Sequence, residues 1–138
     1  MKPFNKAITI ATAVIISGTI SSSIVAANPA RDAIIKSFAA KAGAPLSAQR
    51  GKALFESKVG GGKPETKSCT ACHGASPLKT GQTRAGKLIE PMAVSKTPQR
   101  YTELKKVSKW FRRNCKTVLG RECTPQEKGD FLTFMSSK

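Results

Sequence analysis

The run Cys69-Thr70-Ala71-Cys72-His73 contains the residues whose types and spacing could do chemistry. It reads C-x-x-C-H, the attachment signature of a c-type haem. Two thiols three positions apart on one helical turn can each add to one vinyl group of the porphyrin. The histidine that follows can then place a ring nitrogen on the iron. We therefore expect Cys69 and Cys72 to hold one covalent haem, with His73 as the proximal iron ligand.

A C-x-x-C pair has two other uses in proteins, as a zinc half-site and as a redox-active disulfide. Zinc would need further thiol or imidazole ligands, but His73 is the only histidine and only Cys115 and Cys123 remain. A thioredoxin-like site would need a βαβ pattern, and the sequence contains none. The motif therefore favours haem over both alternatives.

The N-terminus has the three parts of a secretory signal peptide. A short region with two lysines is followed by an uncharged apolar run from Ala7 to Ile20 and by the small residues Val25-Ala26-Ala27. We expect cleavage after Ala27, so that residues 1–27 are the signal and residues 28–138 form one periplasmic domain without stable membrane insertion. The alternative is an uncleaved anchor, because the uncharged span is long enough to cross a bilayer.

Export is consistent with the use of the four cysteines. The motif reserves Cys69 and Cys72, which leaves Cys115 and Cys123. In an oxidising compartment these two remaining thiols can form a disulfide.

The chain is strongly basic, with a formal net charge of +16. Removal of residues 1–27 takes away two lysines and no acid, which leaves +14 before the haem propionates are counted. Such a charge steers a protein towards acidic partners. Nucleic acid is the other usual partner of basic chains, but export and the few aromatic residues argue against it. An anionic membrane surface remains an alternative.

The local signals predict a small all-α protein of four to five helices. Asn28-Pro29 begins a first helix that should stop at Gly43, and Ser47 caps a second helix from Ala48 to about Ser57. A short helical turn should carry the motif. The segment from Gly74 to Ala93 shows no alternation typical of strands, so we expect an ordered loop there.

Two further helices are predicted after this loop. Thr102 should cap a helix from Glu103 to about Val118 that ends at Gly120. The apolar face of this helix should consist of Leu104, Val107, Trp110, Phe111 and Asn114. Thr124 and Glu127 form a capping box before the last helix. The buried side of the last helix should consist of Phe131, Leu132, Phe134 and Met135. A chain this short buries a modest core, so the haem should form its centre.

These pieces resemble class I cytochromes c, and within that class the SHP-type (sphaeroides haem protein) oxygen-binding cytochromes c. The resemblance runs from about Ala39 to Met135. The general piece is C-x-x-C-H with the helix Arg50-Gly51-Lys52-Ala53-Leu54-Phe55 ahead of it. The longest piece is Lys109-Trp110-Phe111-Arg112-Arg113-Asn114-Cys115, continued by Gly120-Arg121-Glu122-Cys123-Thr124. Its specific parts are Arg113-Asn114-Cys115 and Gly120-Arg121-Glu122-Cys123-Thr124.

The resemblance implies a class I cytochrome c fold around one haem c and its iron. It also implies that His73 is the proximal ligand, that Cys115 and Cys123 form a disulfide, and that Asn114 is the distal ligand of the oxidised iron. Asn114 is lost on reduction in this pattern, so that oxygen or nitric oxide can bind. The family further suggests another cytochrome as the electron donor. Whether the chain is an enzyme that reacts with oxygen or nitric oxide stays open.

The sixth iron position has competing candidates. Asn114 shares the apolar stripe of its helix, where an unpartnered buried amide is costly, but it could instead be a helix-terminal residue with a left-handed backbone. An amide oxygen is a hard, weak ligand that suits ferric iron better than ferrous iron. Met92, in Pro91-Met92, is the alternative, and a thioether there would give a plain His/Met electron-transfer cytochrome. Met92 could also simply fill a gap against the haem edge.

Overall fold

The computed structural model describes residues 27–58 and 61–138, and the predicted signal peptide falls almost wholly outside them. The fold is all-α, as predicted. The five helices are α1 Pro29–Ala39, α2 Ala48–Glu56, α3 Thr70–His73, α4 Leu104–Leu119 and α5 Pro125–Ser136. Two short strands, β1 Gly81–Gln82 and β2 Leu88–Ile89, lie between α3 and α4. In the described part of the chain no helix is long and apolar enough to cross a membrane.

Local capping residues begin three of the helices, as their sequence predicts. The Asn28 side chain accepts hydrogen bonds from the amides of Ala30 and Arg31, and the Ser47 hydroxyl accepts one from the amide of Arg50. Thr124 and Glu127 form both bonds of a capping box. The first helix is shorter than expected, because it ends at Ala39 instead of continuing to Gly43.

The predicted cap of α4 is wrong. Glu103 is the N-cap residue, with an extended backbone (φ −121°, ψ 108°), and its side chain makes no capping bond. The hydroxyl of Thr102 instead donates to the carbonyl of Gln99 at 2.9 Å, inside the preceding turn. At the other end, Gly120 has φ 72° and terminates the helix in the left-handed conformation, as predicted.

The expectation that residues 74–93 contain no strand is also wrong. β1 and β2 pair antiparallel, with Gly81 opposite Ile89 and Gln82 opposite Leu88. Each strand has only two residues, which is too short for an alternating pattern to be visible in the sequence. The connecting turn closes with the amide of Thr83 donating to the carbonyl of Lys87 at 2.8 Å.

The core is centred where α2 packs on α5. Gly51 lies against the backbone of α5, because a Cβ atom there would be 2.0 Å from the carbonyl oxygen of Asp130. Phe55, Leu132 and Met135 are fully buried, and the placement of Met135 in the core is confirmed. An edge-to-face contact between Phe111 and Phe131, 5.6 Å between ring centroids, joins α4 to this core.

The C-terminal end of α4 is fixed from two sides. The amide of Gly62 donates to the carbonyl of Val118 at 3.2 Å, and the amide of Lys63 donates to that of Thr117 at 2.9 Å. On the other side, Cys115 and Cys123 are placed as a disulfide pair with their Cα atoms 5.6 Å apart. The helix is therefore tied both to the loop that leads into the C-x-x-C-H motif and to the start of α5.

Candidate haem site

The C-x-x-C-H motif folds as a single helical turn. Cys69 precedes α3, and its carbonyl accepts hydrogen bonds from the amides of Cys72 at 3.3 Å and His73 at 3.1 Å. Gly74 leaves the turn with φ 68°. Cys69 packs against the hydrophobic core, and both thiols are free, not bonded to each other. The turn therefore places two reduced thiols and one imidazole within five consecutive residues.

The surroundings of the motif alter two pKa values. Burial raises the pKa of the Cys69 thiol to about 11. Burial, together with a smaller effect of the positive charge of Arg100, lowers the pKa of the His73 imidazole to about 4. His73 is therefore neutral at neutral pH, which is the form of imidazole that binds a metal.

The residues around the motif fit a haem. The Nδ1 atom of His73 is buried and has no hydrogen-bond partner within the described residues. Near the motif in sequence, Leu78 and Leu88 are exposed to 41% and 69%, and Trp110 on α4 is exposed to 50%. A covalently held macrocycle would supply both an iron partner for an imidazole and an apolar surface for such side chains.

The two competing readings of the cysteine pair receive no support from the geometry. Across residues 27–58 and 61–138, no three His, Cys, Asp or Glu side chains come together as a possible metal site. Because Cys69 and Cys72 are not disulfide-bonded, the pair is not placed as a redox disulfide either.

The β-hairpin that sequence reasoning missed lies directly on the motif. A Cβ atom on Gly81 would be 2.3 Å from the carbonyl oxygen of Cys72 and 2.8 Å from the Cα atom of His73. Only glycine allows β1 to approach α3 this closely. The hairpin therefore supports the backbone of the turn that carries the thiols and the imidazole.

Asn114 lies in the interior of α4, which excludes one of its two predicted roles. The helix continues five residues beyond it to Leu119, and Gly120 supplies the left-handed end. The interpretation of Asn114 as a helix-terminal residue with left-handed backbone is therefore wrong. Among the described non-glycine residues, only Tyr101 has a positive φ, of 64°.

The predicted apolar face of α4 divides into two parts. Val107, Cys115 and Val118 are buried and Phe111 is half-buried. The other three residues are exposed at the protein surface: Leu104, Trp110 and Asn114. Trp110 and Asn114 are four residues apart and so lie on one side of the helix, next to the buried stripe.

Met92, the alternative ligand, lies in the core. It is 8% exposed and belongs to the same cluster as Phe131, Leu132 and Met135. Its amide donates to the carbonyl of Pro77 at 2.8 Å, and its carbonyl accepts from the Tyr101 hydroxyl at 3.0 Å. This position agrees with a flexible side chain that fills a gap in the core.

Two arginines that bind backbone carbonyls carry no obvious signal in the sequence. Arg31 is 3% exposed and donates to the carbonyls of Pro98 and Arg100. Arg100 donates to the carbonyl of Pro91 at 2.7 Å and to that of Glu90 at 2.8 Å. Arg31 binds carbonyls 69 and 67 positions away and Arg100 binds carbonyls nine and ten positions away, so the local sequence does not show that either side chain is held.

Comparison with known proteins agrees with this fold and motif. Residues 41–135 match the sequence model of a domain of unknown function, DUF1924. The chain is 47% identical over 124 residues to the cytochrome c-type protein SHP of Cereibacter sphaeroides, covering 90% of this chain and 96% of SHP. It is 31% identical over 86 residues to cytochrome c'' of Methylophilus methylotrophus, covering 62% of this chain and 60% of that protein.

Two solved structures have the same fold. Oxidised SHP, described as an oxygen-binding cytochrome c, superposes with a TM-score of 0.76 at 51% identity and covers 78% of this chain and 96% of SHP. Oxidised cytochrome c'' of M. methylotrophus gives a TM-score of 0.63 at 27% identity, over 77% of this chain and 92% of the other. A solution structure of cytochrome c'' concerns the structural basis of haem-ligand detachment in that protein.

The fold and the motif together define a c-type cytochrome with one covalent haem c and its iron. Within that class, the chain belongs to the SHP-type cytochromes c.

Proposed function

We propose that this protein is an exported monohaem cytochrome that binds small diatomic ligands, oxygen or nitric oxide, in a redox-gated manner. In this proposal Cys69 and Cys72 hold the haem, His73 is the proximal ligand and Asn114 is a distal ligand that leaves on reduction. The relatives support it: SHP is an oxygen-binding cytochrome c, and cytochrome c'' has been studied for haem-ligand detachment.

The observation that carries the proposal is the position of the Asn114 amide. It lies outside the protein core, beside Trp110, and takes part in none of the side-chain hydrogen bonds found among the described residues. An amide in the middle of a helix has no capping role there. It is therefore free to bind a group from outside the polypeptide, on a helix whose far end is held by Gly62 and Cys123.

The chemistry of the two side chains suits a gate. A bound haem would supply an iron that changes between ferric and ferrous states. His73 offers a neutral imidazole that remains a good ligand in both states. The amide oxygen of Asn114 is hard and weak, so it prefers ferric iron and releases ferrous iron. Once free, the amide N–H of Asn114 can donate a hydrogen bond to a diatomic ligand.

The alternative function, a plain electron carrier with Met92 as ligand, has less support from the geometry. The backbone of Met92 is bonded to Pro77, which follows His73 by only four residues. The Met92 side chain is 8% exposed and packs in the core cluster with Phe131, Leu132 and Met135, where a flexible thioether fills space between apolar side chains.

The electron needed for the gate would come from a redox partner, which we propose to be another cytochrome with an acidic surface. Four cations on α4 follow the spacing i, i+4, i+7, i+11 and so form one stripe: Lys105, Lys109, Arg112 and Lys116. Three of them line a groove of about 510 Å³ together with Lys128 and the acid Glu122. A surface of this charge attracts acidic proteins.

Export to the periplasm is the remaining part of the proposal. It depends on the signal pattern of residues 1–27 and on the cysteine pair of the mature domain. N-terminal sequencing of protein from the periplasmic fraction should begin at Asn28. An intact Met1 on membrane-bound protein would replace the cleaved signal with an anchor.

The visible spectrum of the ferrous protein, with and without carbon monoxide, tests the proposed gate. If Asn114 leaves on reduction, the ferrous protein is high-spin and binds carbon monoxide without first losing a strong ligand. A low-spin ferrous spectrum that carbon monoxide does not change would overturn the gate and favour the electron-carrier function.

A further inference from the structure

The guanidinium group of Arg100 is held in one position by the backbone. Its Nε atom donates to the carbonyl of Pro91 at 2.7 Å and its Nη2 atom to the carbonyl of Glu90 at 2.8 Å. The Thr97 hydroxyl donates to the same Pro91 carbonyl at 2.9 Å. Arg100 is therefore a fixed charge, in contrast to a lysine or arginine whose side chain moves freely in solvent.

The segment whose carbonyls Arg100 binds, residues 90–91, is followed by residues that hydrogen-bond to the chain just after the haem motif. Residue 91 is followed by Met92 and Ala93, whose amides both donate to the carbonyl of Pro77, at 2.8 and 2.9 Å. Pro77 lies four residues after His73. The backbone that Arg100 binds is thus the backbone that packs against the segment leaving His73.

No acidic side chain compensates this charge in the described part of the chain. The ion pairs found there join Arg50, Lys52, Arg84, Lys106, Lys116 and Arg121 to acids, and include neither Arg31 nor Arg100. Arg31 brings a second charge, since its Nε atom donates to the carbonyl of Arg100 at 3.2 Å while its side chain is buried. Within the described residues, the hydrogen-bond partners of both side chains are backbone carbonyls.

A fixed positive charge on the segment that packs beside the proximal histidine disfavours ferric iron, which carries one more positive charge than ferrous iron. We propose that Arg100 is a positioning residue that sets the redox poise of the gate. Its charge stabilises the ferrous form, and its bonds to Glu90 and Pro91 fix the segment beside His73. The reaction that it biases is the transfer of one electron from the partner cytochrome to ferric iron. This inference rests on the proposed function, because the ferrous form is the open one.

The test is the midpoint potential of the holoprotein, measured by spectroelectrochemistry for Arg100→Gln and Arg100→Lys. Arg100→Gln removes the charge and should lower the ferrous-to-ferric ratio at a given solution potential about tenfold. For a one-electron couple this corresponds to a midpoint potential about 59 mV lower. Arg100→Lys keeps the charge and should restore most of the potential. Arg84→Gln is the matched control, since Arg84 is 67% exposed and paired with Glu65; its ratio should change less than threefold.

Equal midpoints for Arg100→Gln and Arg84→Gln would overturn the proposal. If Arg100→Gln does not fold, Arg31→Gln removes the second charge of the same pair and should also lower the midpoint, whereas an unchanged midpoint refutes the role of the pair. The Arg100→Gln shift should persist in Asn114→Ala protein. If Arg100→Gln lowers the midpoint but the ferrous wild type does not bind carbon monoxide, the role of Arg100 is kept and the gate is rejected. If the ferrous wild type binds carbon monoxide but Arg100→Gln leaves the midpoint unchanged, the gate is kept and the role of Arg100 is rejected.

Discussion

The amide of Met92 donates to the carbonyl of Pro77 at 2.8 Å, so the residue that could serve as a thioether ligand is bonded to the segment that follows the proximal histidine. Met92→Leu should therefore leave the ferric and ferrous spectra unchanged and change stability by less than about 1.5 kcal/mol, as expected for a volume-conserving core substitution. Visible spectra and thermal unfolding of the holoprotein measure both. A ferrous protein that binds carbon monoxide only after this substitution would identify Met92 as the ligand.

Asn114→Ala should alter the ferric spectrum, because the weak distal ligand is lost, while ferrous binding of carbon monoxide is kept. Loss of the amide donor should also speed oxygen dissociation about tenfold, equivalent to about 1–2 kcal/mol. Stopped-flow measurement gives this rate. Ser108→Ala, at an exposed position elsewhere on α4, is the control and should change neither property. A ferric spectrum identical to wild type would contradict ligation by Asn114.

Covalent attachment makes a prediction for the cysteines of the motif. After denaturation the protein should keep its colour and its mass should include one haem, because thioether bonds survive unfolding. Cys69→Ala and Cys72→Ala should each leave a single bond, and the double variant should lose the haem to acid-acetone extraction. Extraction of haem from the wild type under the same conditions would rule out covalent attachment.

The pair Cys115 and Cys123 should resist alkylation in unreduced, denatured protein. The bond closes a short loop, and its loss in the Cys115→Ala/Cys123→Ala variant should lower the free energy of unfolding by roughly 2–3 kcal/mol. Mass spectrometry after thiol labelling and chemical denaturation measure these two effects. Two labelled cysteines in the wild type would show that the bond does not form in solution.

Asp130 should make stability depend on pH in the acid range. Burial alone would raise the pKa of its carboxyl, but hydrogen bonds from Arg50, the Ser47 amide and Gln126 outweigh burial and lower it from 3.8. Because the folded pKa is the lower one, the stabilisation is complete above about pH 4 and is lost as the pH falls through the folded value.

Asp130→Asn should therefore lower the free energy of unfolding by about 1–3 kcal/mol at pH 7 and flatten its decline below about pH 4. Denaturant titrations at several pH values measure this. Glu103→Gln is the control, because Glu103 pairs with Lys106 at the exposed surface and such pairs contribute little. Parallel acid profiles for wild type and Asp130→Asn would contradict the prediction.

The parts of the fold that the sequence predicted correctly are those decided by neighbouring residues. Asn28, Ser47 and the Thr124 capping box act within three residues, so their signals are complete in the local sequence. The all-α class and the burial of the last helix followed from the same kind of pattern.

The parts that the sequence did not predict are decided by distant contacts. The hairpin depends on Gly81 approaching Cys72 across the fold, and two-residue strands leave no alternation to read. The core position of Met92 depends on Pro77, and the fixed charge of Arg100 depends on carbonyls nine and ten residues away. Thr102 failed as a cap because the preceding turn uses its hydroxyl.

The bonds between the Gly62–Lys63 backbone and the end of α4 have a consequence for how the protein matures. They join residues more than fifty positions apart, and everything between them, including both motif thiols, lies in the loop that they close. Closing so long a loop costs chain entropy before any contact repays it, so this step comes late in folding. In a newly synthesised chain, Cys69 and Cys72 therefore stay accessible for haem attachment for as long as α4 has not docked, and docking of α4 marks the end of that interval.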